Sequence, residues 1–384
     1  MALDLTRLIG NVSEMGRSLA RQEREFVSRV VEARQWLEEF ADAGAALEDV
    51  AAEVGAAVPT AEPLNTVVPC PSIPDAFTVI GADGSAIGPD RHGVALYYLI
   101  NIGSLVFRHG SGATPEARSI PTLGFREEDL YEGELLVSGH LLDLRRDCAE
   151  IAHLADRVEA EPPGPTLALV DGTLVLWILE DLPVAGRKEK ADPYLLQMER
   201  IRRKGAALAA FISRPRHAEV GKLLHLVRLG GDVGRAREVP NPLGRVPDRT
   251  LFAALPAGAR SALFGSPSPV NRHYYEPTGH GVRFFYLNVA PEGQEPVIAR
   301  VEVPRWVAED PERLSLTHAG IVAQCRILGG FPYVLARADE LAYISNAERE
   351  KLEEMVETAL MAAGVIPTPS PKLYYKGLTR RGKG

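Results

Sequence analysis

The sequence predicts an α/β protein: one mixed sheet flanked by helices, with a long N-terminal helix in front and an irregular inserted region late in the chain. Three observations predict it. Three β-type runs follow one another from Phe77, a segment with helical periodicity begins at Ser138, and a further apolar run spans Thr166 to Val170; the first and last of these strands each run into an aspartate, Asp83 and Asp171. Three antiparallel strands followed by a helical crossover return the fourth strand parallel to the first, because such crossovers are right-handed and rejoin the same sheet.

From about Leu5 to Val58, apolar positions at helical spacing (Leu19, Phe26, Val30, Ala33, Leu37, Phe40) predict a long amphipathic helix, with no glycine or proline between Gln22 and Ala43. A proline-containing link, Pro63 to Pro74, leads to a strand from Phe77 to Ala82 that ends in the turn tripeptide Asp83-Gly84-Ser85. Val94 to Ile102 and Ser104 to Arg108 read as a hairpin turning at Gly103. Ser138 to Glu159 carries Leu141, Leu144, Cys148, Ile151, Leu154 and Val158 at periods of three and four and is a helix; Pro162, Pro163 and Pro165 close it before the strand that ends in Asp171-Gly172-Thr173. A basic helix from about Asp192 to Arg203, a strand from Ala206 to Ile212 and a helix from Ala218 to Leu229 follow. Gly230 to Gly281, rich in glycine and proline, reads as an elaboration of the core. Val282 to Val289 and Val297 to Val303 form a hairpin, and helices near Leu316 to Leu328, Val334 to Ala342 and Ala347 to Ala363 precede a basic tail. The domain reading is therefore an N-terminal helical segment and linker (1–74), a main domain (75–376, with 230–281 as elaboration) and a tail (377–384).

The 384 residues, 46% hydrophobic and 24% charged, suffice for a sizeable core. No apolar run reaches the roughly 20 residues of a membrane span and the N-terminus lacks the pattern of a signal peptide, so a cytoplasmic protein with no membrane contact is expected. Cys70, Cys148 and Cys325 are widely spaced without a CxxC pair, which points to buried reduced thiols and away from a disulfide framework or zinc ribbon. A net charge of −8 speaks against a uniformly basic nucleic-acid binder, but basic residues gather at Arg187, Lys188 and Lys190, from Arg200 to Lys204, and in the tail at Lys372, Lys376, Arg380, Arg381 and Lys383. Such runs permit DNA binding; each is also what a solvated helix face looks like.

On adjacent parallel strands Asp83 and Asp171 would stand about 5 Å apart, a costly approach of like charges unless a cation lies between them. Metal-assisted phosphodiester hydrolysis needs this arrangement: hard carboxylate oxygens converging on Mg2+ or Mn2+, two ions about 4 Å apart in the two-metal form. The crossover helix supplies a third carboxylate. Glu150, one turn from Arg146 and from Leu154 and beside the buried-side markers Cys148 and Ile151, is the first candidate, with Asp143, Asp147 and Glu159 as alternatives. Asp339 or Glu340, on the helix after Gly329-Gly330-Phe331-Pro332, is a fourth. Against this, Asp-Gly-Ser and Asp-Gly-Thr are common structural turns, and lone helix glutamates are usually solvated. Phosphate-contacting candidates are Arg214 and His217 in the stretch Arg214-Pro215-Arg216-His217, and Lys372 and Lys376. The tyrosine pairs Tyr274-Tyr275 and Tyr374-Tyr375 suit base stacking, although packing is their commoner use. The P-loop, HExxH and GxSxG signatures are absent.

Taken in order, Asp83-Gly84-Ser85, Val170-Asp171-Gly172-Thr173-Leu174, the segments Phe211 to Val220, Arg300 to Ala308 and Gly329 to Glu340, and Ser370-Pro371-Lys372 with Lys376 resemble the NurA family of DNA-repair nucleases. The resemblance implies an RNase H-like domain. It also implies Mn2+-dependent (or Mg2+-dependent) end resection with two ions, 5'-3' exonuclease and single-strand endonuclease activity, a homodimer, and a hexameric HerA-type ATPase that feeds DNA to it. Its acidic ligands fall on Asp83, Glu150 and Asp171. Where the family often has a Tyr-Pro pair followed by a histidine, this chain has Phe331-Pro332 and Asp339, which leaves Asp339 as a carboxylate in the histidine's place. Two other readings are weighed: a non-catalytic adaptor of a DNA-translocating ATPase, which would be expected to have lost a carboxylate, and an actin-like ATPase, which would show a duplicated half and phosphate loops that this chain lacks.

Overall fold

The computed structural model describes residues 5–244 and 246–365. Lys372, Lys376, Tyr374-Tyr375 and the basic tail lie outside the described residues. The chain forms two compact units, one of residues 73–210 with 312–384 and the other of residues 1–72 with 211–311.

The first unit contains the predicted mixed sheet. Strands β1 (Phe77–Ile87), β2 (Tyr98–His109) and β3 (Glu116–Gly124) form an antiparallel meander. Helix α1 (His140–Ala160) crosses over, and β4 (Thr166–Asp171) returns parallel to β1. Helix α2 (Arg187–Arg203) then leads to β5 (Ala207–Ile212), giving the strand order β3-β2-β1-β4-β5. This is the topology of an RNase H-like core. Helix α1 presents Leu144, Ile151, Leu154, Ala155 and Val158 inward and packs on β1 and on α2; Arg200 of α2 ties the two helices through Asp156 and Glu159.

The meander differs from the sequence reading in two places. Strand β1 does not turn at Asp83-Gly84-Ser85 but continues to Ile87, because β2 pairs with it throughout, Asp83 opposite Gly103 and Ser85 opposite Asn101. Nor does the chain turn at Gly103, which sits inside the single strand β2; the third strand is Glu116–Gly124, an outer strand exposed along most of its length. Gly103 serves packing. A Cβ there would lie 2.2 Å from the carbonyl oxygen of Ala338 and 2.4 Å from the amide nitrogen of Ala342, so only glycine lets the helix α4 (Tyr333–Ala342) lie against the sheet. Gly81 gives the same helix room beside Val334. Gly81 and Gly84 are three apart on one strand and so face opposite sides of the sheet, α4 meeting the first and α1 the second. Helices α3 (Pro311–Leu328), largely buried, and α5 (Asn346–Ala362), largely exposed and started by a Ser345/Glu348 capping box, complete the unit.

In the second unit the N-terminal helix runs from Ile9 to Glu39, ending well before Val58, and buries only Ala33, Trp36 and Leu37 fully. The predicted hairpin is present as β6 (Val282–Asn288) and β7 (Ile298–Pro304), with the two-residue strand Phe264–Gly265 beside β6 and Val58–Pro59 beside that strand in turn. Between Gly230 and Gly281 the structure is otherwise a series of short turns and helices. Tyr275 is wholly buried there.

Two buried ionic arrangements hold this unit. Arg300, with no exposure, reaches Glu219 at 2.6 Å and Glu302 at 2.9 Å and lies 3.6 Å from the centre of the Phe284 ring. Asp248, also with no exposure, accepts hydrogen bonds from the amides of Glu219, Val220 and Gly221 at the start of the helix Glu219–Arg228 and from the Tyr286 hydroxyl. It caps that helix from a distance of 29 residues along the chain.

Among the described residues no single helix is long and apolar enough to cross a membrane. Cys325 is buried, while Cys70 and Cys148 are half-buried.

Candidate active site

The parallel ladder between β1 and β4 runs from Thr78 opposite Thr166 to Ala82 opposite Val170. The next pair in that register is Asp83 and Asp171. The two aspartates therefore stand side by side on adjacent strands, Asp171 as the last residue of β4 and Asp83 where β1 runs on past the end of β4, and strands in a sheet lie about 4.8 Å apart. From one face of the sheet α4 brings Asp339 up to Asp83, and from the other α1 brings Glu150, buried to 9% exposure, towards both aspartates. The four predicted carboxylates come from four different elements of the chain. Glu340, the alternative on α4, turns away and pairs with Arg337.

The energetics of the cluster are those of negative charge held out of water. Burial pushes the Asp83 carboxyl up to about 6, with Asp171 and Asp339 adding repulsion. Burial raises Asp171 as well, aided by Asp339, although its outer side stays open to solvent. Glu150 is raised well above the ordinary carboxylate range by burial and by Asp147, against the opposing pull of Arg146. A divalent cation would relieve all of these at once. Without metal the raised Asp83 carboxyl keeps a proton in the fold that the unfolded chain releases; its stabilising contribution is complete below about pH 4 and is lost as the pH rises through about 6.

Around these groups lies an open cleft of about 320 Å3, walled by Gly84, Arg146, Asp147, Leu176 and Tyr194 as well as by Asp83, Glu150 and Asp171. At about 30 Å3 per water, that volume accommodates metal ions with their water and part of a substrate. The donors are carboxylate oxygens, which suit Mg2+ or Mn2+ and not thiolate-seeking metals. Among the described residues no three His, Cys, Asp or Glu side chains are already drawn in around one ion-sized point. Glu150 instead faces a resident cation: Arg146 Nε stands 3.2 Å from Glu150 Oε1, and the same guanidinium reaches Asp147 at 2.9 Å and Asp143 at 3.6 Å.

Gly84 is the residue that lets Glu150 in. A Cβ at this position would lie 2.5 Å from Glu150 Oε1 and 2.9 Å from Arg146 Cγ. The Gly84→Ala protein is accordingly expected to fold with a melting temperature close to that of the wild type, since the nearest atom is the end of a side chain that can swing away. With Glu150 as a metal ligand, Mn2+ affinity should fall by about tenfold or more, the scale of disturbing a ligand's immediate support. Titration calorimetry beside a melting curve separates the two effects; unchanged affinity would remove Glu150 from the ligand set.

Neither Gly84 nor Arg146 was singled out from the sequence, because their role exists only when β1 and α1 are brought together. Tyr194 was missed for the same reason. Of the phosphate-contacting candidates, Arg214 is exposed, with a left-handed backbone (φ 50°), and His217 is half-buried facing Arg300, Glu219 and Glu302; both belong to the second unit. The cations of α2 are largely matched by acids, Arg200 by Asp156 and Glu159, Lys188 by Asp192, Lys190 by Glu132 and Arg203 by Glu199, so this helix is a neutralised face.

Comparison with known proteins gives one family: the NurA domain model matches residues 77–344. Among solved structures the chain is similar to the NurA nuclease from Sulfolobus solfataricus, at 14% identity and a TM-score of 0.47, covering 90% of this chain and 98% of that one. It is also similar to NurA with manganese (11% identity, TM-score 0.42, covering 92% and 98%) and to NurA bound to dAMP and manganese (11%, 0.40, 94% and 98%). No curated protein sequence matches the chain.

Proposed function

The chain belongs to the NurA family, and on that premise we propose that it is a divalent-metal-dependent nuclease that hydrolyses DNA phosphodiesters at the carboxylate cluster of Asp83, Glu150, Asp171 and Asp339. The observation that carries the reading is the convergence of Asp83, Glu150 and Asp171, from two adjacent strands and a helix, on one solvent-open cleft, with Asp339 beside Asp83 on the other face of the sheet.

Asp83 and Asp171 would be the central ligands, Glu150 would join them over the space left by Gly84, and Asp339 would close the set from α4. Mn2+ or Mg2+ bound there supplies Lewis acidity and an activated water, and two ions would stabilise both the attacking and the leaving oxygen. The protein's own contribution is to hold four acids on two paired strands and the two helices packed against them, and to line one side of the cleft with Leu176 and Tyr194. An exonuclease and single-strand endonuclease acting in DNA end resection, working as a homodimer with a HerA-type hexameric ATPase, is the fuller reading that the family resemblance supports.

Purified protein incubated with end-labelled single- and double-stranded DNA is expected to cut with Mn2+, more weakly or equally with Mg2+, and not with chelator. Metal must displace protons from raised carboxyls, so at sub-saturating Mn2+ the rate should climb from about pH 5 to about pH 7 as Asp83 ionises. Cleavage that persists in chelator, or that is flat over this window, would contradict the proposal. An adaptor would show no cutting at all, with or without a HerA-type ATPase.

A further inference from the structure

Arg146 is not needed to explain the cluster as a metal site; a fixed cation beside metal ligands works against metal binding. Its placement is nevertheless specific. The side chain lines the cleft at 32% exposure and is surrounded by Asp143, Asp147 and Glu150 at successive positions on the same face of α1. The three contacts are unequal. Arg146 Nη2 donates a formed hydrogen bond to Asp147 Oδ1 at 2.9 Å, whereas its Nε, buried from water, faces Glu150 Oε1 without the geometry of a hydrogen bond. The guanidinium is thus anchored on Asp147 and holds Glu150 by charge alone.

We propose that Arg146 is a resident counter-cation that competes with the divalent metal for Glu150, so that the metal captures Glu150 only by drawing it off Arg146. The inference rests on the reading of Asp83, Glu150 and Asp171 as metal ligands. In the metal-free protein the guanidinium lowers the cost of holding Glu150 out of water beside Asp83 and Asp171. With an ion bound, Glu150 would turn towards Asp83 and Asp171, while Arg146 would stay on Asp147 at the cleft wall. Arg146 is therefore a positioning residue that sets metal affinity, weakening it in exchange for a cluster that stays assembled without metal.

Mn2+ affinity measured by calorimetry and by the electron paramagnetic resonance of free Mn2+, on the intact chain, tests this. Arg146→Met is expected to bind Mn2+ about tenfold or more tightly than the wild type, the scale of removing a nearby positive charge from a divalent site. Arg146→Lys, which keeps the charge and is the safer variant for folding, should stay within a few-fold of the wild type. In a Glu150→Gln background the gain from Arg146→Met should shrink to less than about half in free energy, because the two residues act on one another. Unchanged or weaker binding by Arg146→Met would overturn the proposal and make Arg146 an orienting support of Glu150; an undiminished gain in the Glu150→Gln background would also overturn it, showing a general charge effect. Failure of the underlying site reading looks different: Asp171→Asn and Glu150→Gln would then leave wild-type Mn2+ binding as it is.

Discussion

Asp171→Asn is expected to slow metal-dependent DNA cleavage by on the order of a thousandfold or more, beyond the roughly 10- to 100-fold cost of disturbing a ligand's outer partner, while leaving the fold intact. Asparagine has the shape of aspartate and keeps an oxygen for the Gly172 amide, which donates to Asp171 at 3.0 Å. What it lacks is the charge. Burial is the main cause that raises the Asp83 carboxyl, and the same substitution removes one of the two acids that add to it, so Asp83 should ionise at lower pH in the variant than the value of about 6 in the wild type. Metal-free Asp171→Asn should for that reason be no less stable than the wild type near neutral pH. Loss of activity with undiminished stability distinguishes a ligand from a structural turn residue, which is the competing reading of every Asp-Gly pair. Rates on end-labelled DNA, with melting curves in chelator, give both quantities. If cleavage survives in Asp171→Asn, the cluster is not where the chemistry occurs.

The second large effect lies in the other unit and concerns stability. Asp248→Ala removes the acceptor of three helix-starting amides and of the Tyr286 hydroxyl, all buried. A buried donor left without a partner costs about 1–3 kcal/mol. Four of them, even partly relieved by relaxation or water, amount to several kcal/mol, a large share of the roughly 5–15 kcal/mol by which domains are stable. The variant should melt more than about 10 °C below the wild type or fail to accumulate as folded protein, whereas Asp248→Asn, with one carbonyl acceptor retained, should fall between. Burial pushes Asp248 up to about 7 in spite of its donors. The folded protein therefore keeps a proton that the unfolded chain gives up, so the contribution of this group is full below about pH 4 and declines as the pH rises to about 7 and beyond. Chemical denaturation across that range should show a slope in the wild type that Asp248→Asn lessens; an equal slope in both would assign it to other groups.

Asp83 and Asp171 were legible in the sequence because each follows an apolar run long enough to be a buried strand, and a strand-crossover-strand order has only one handedness available to it. Glu150 was legible because Cys148, Ile151 and Leu154 mark the inner side of a helix, which leaves few acids able to reach the sheet. What misled the reading was glycine. Gly103 and Gly84 carry the same local signal as a turn, yet both lie within strands, where their lack of a Cβ admits α4 and the Glu150 side chain. That use depends on residues 66 to 239 positions away, with which no short pattern connects them. Strand β3 escaped notice because it is exposed on most of its residues, carries Pro121 and so lacks the apolar alternation of a half-buried strand. Asp248, between Pro247 and Arg249 in a proline-rich stretch, looks like any turn aspartate until the helix at Glu219 is placed beside it.

Diffraction from Mn2+-soaked crystals at the manganese absorption edge locates the ion without reference to activity. The proposed site requires an anomalous peak in the cleft bounded by Asp83, Asp171 and Glu150, with the Glu150 carboxylate turned off Arg146 towards it. A peak confined to another part of the molecule, or an empty cleft at a Mn2+ concentration that supports DNA cleavage, would show that these carboxylates are not the metal centre.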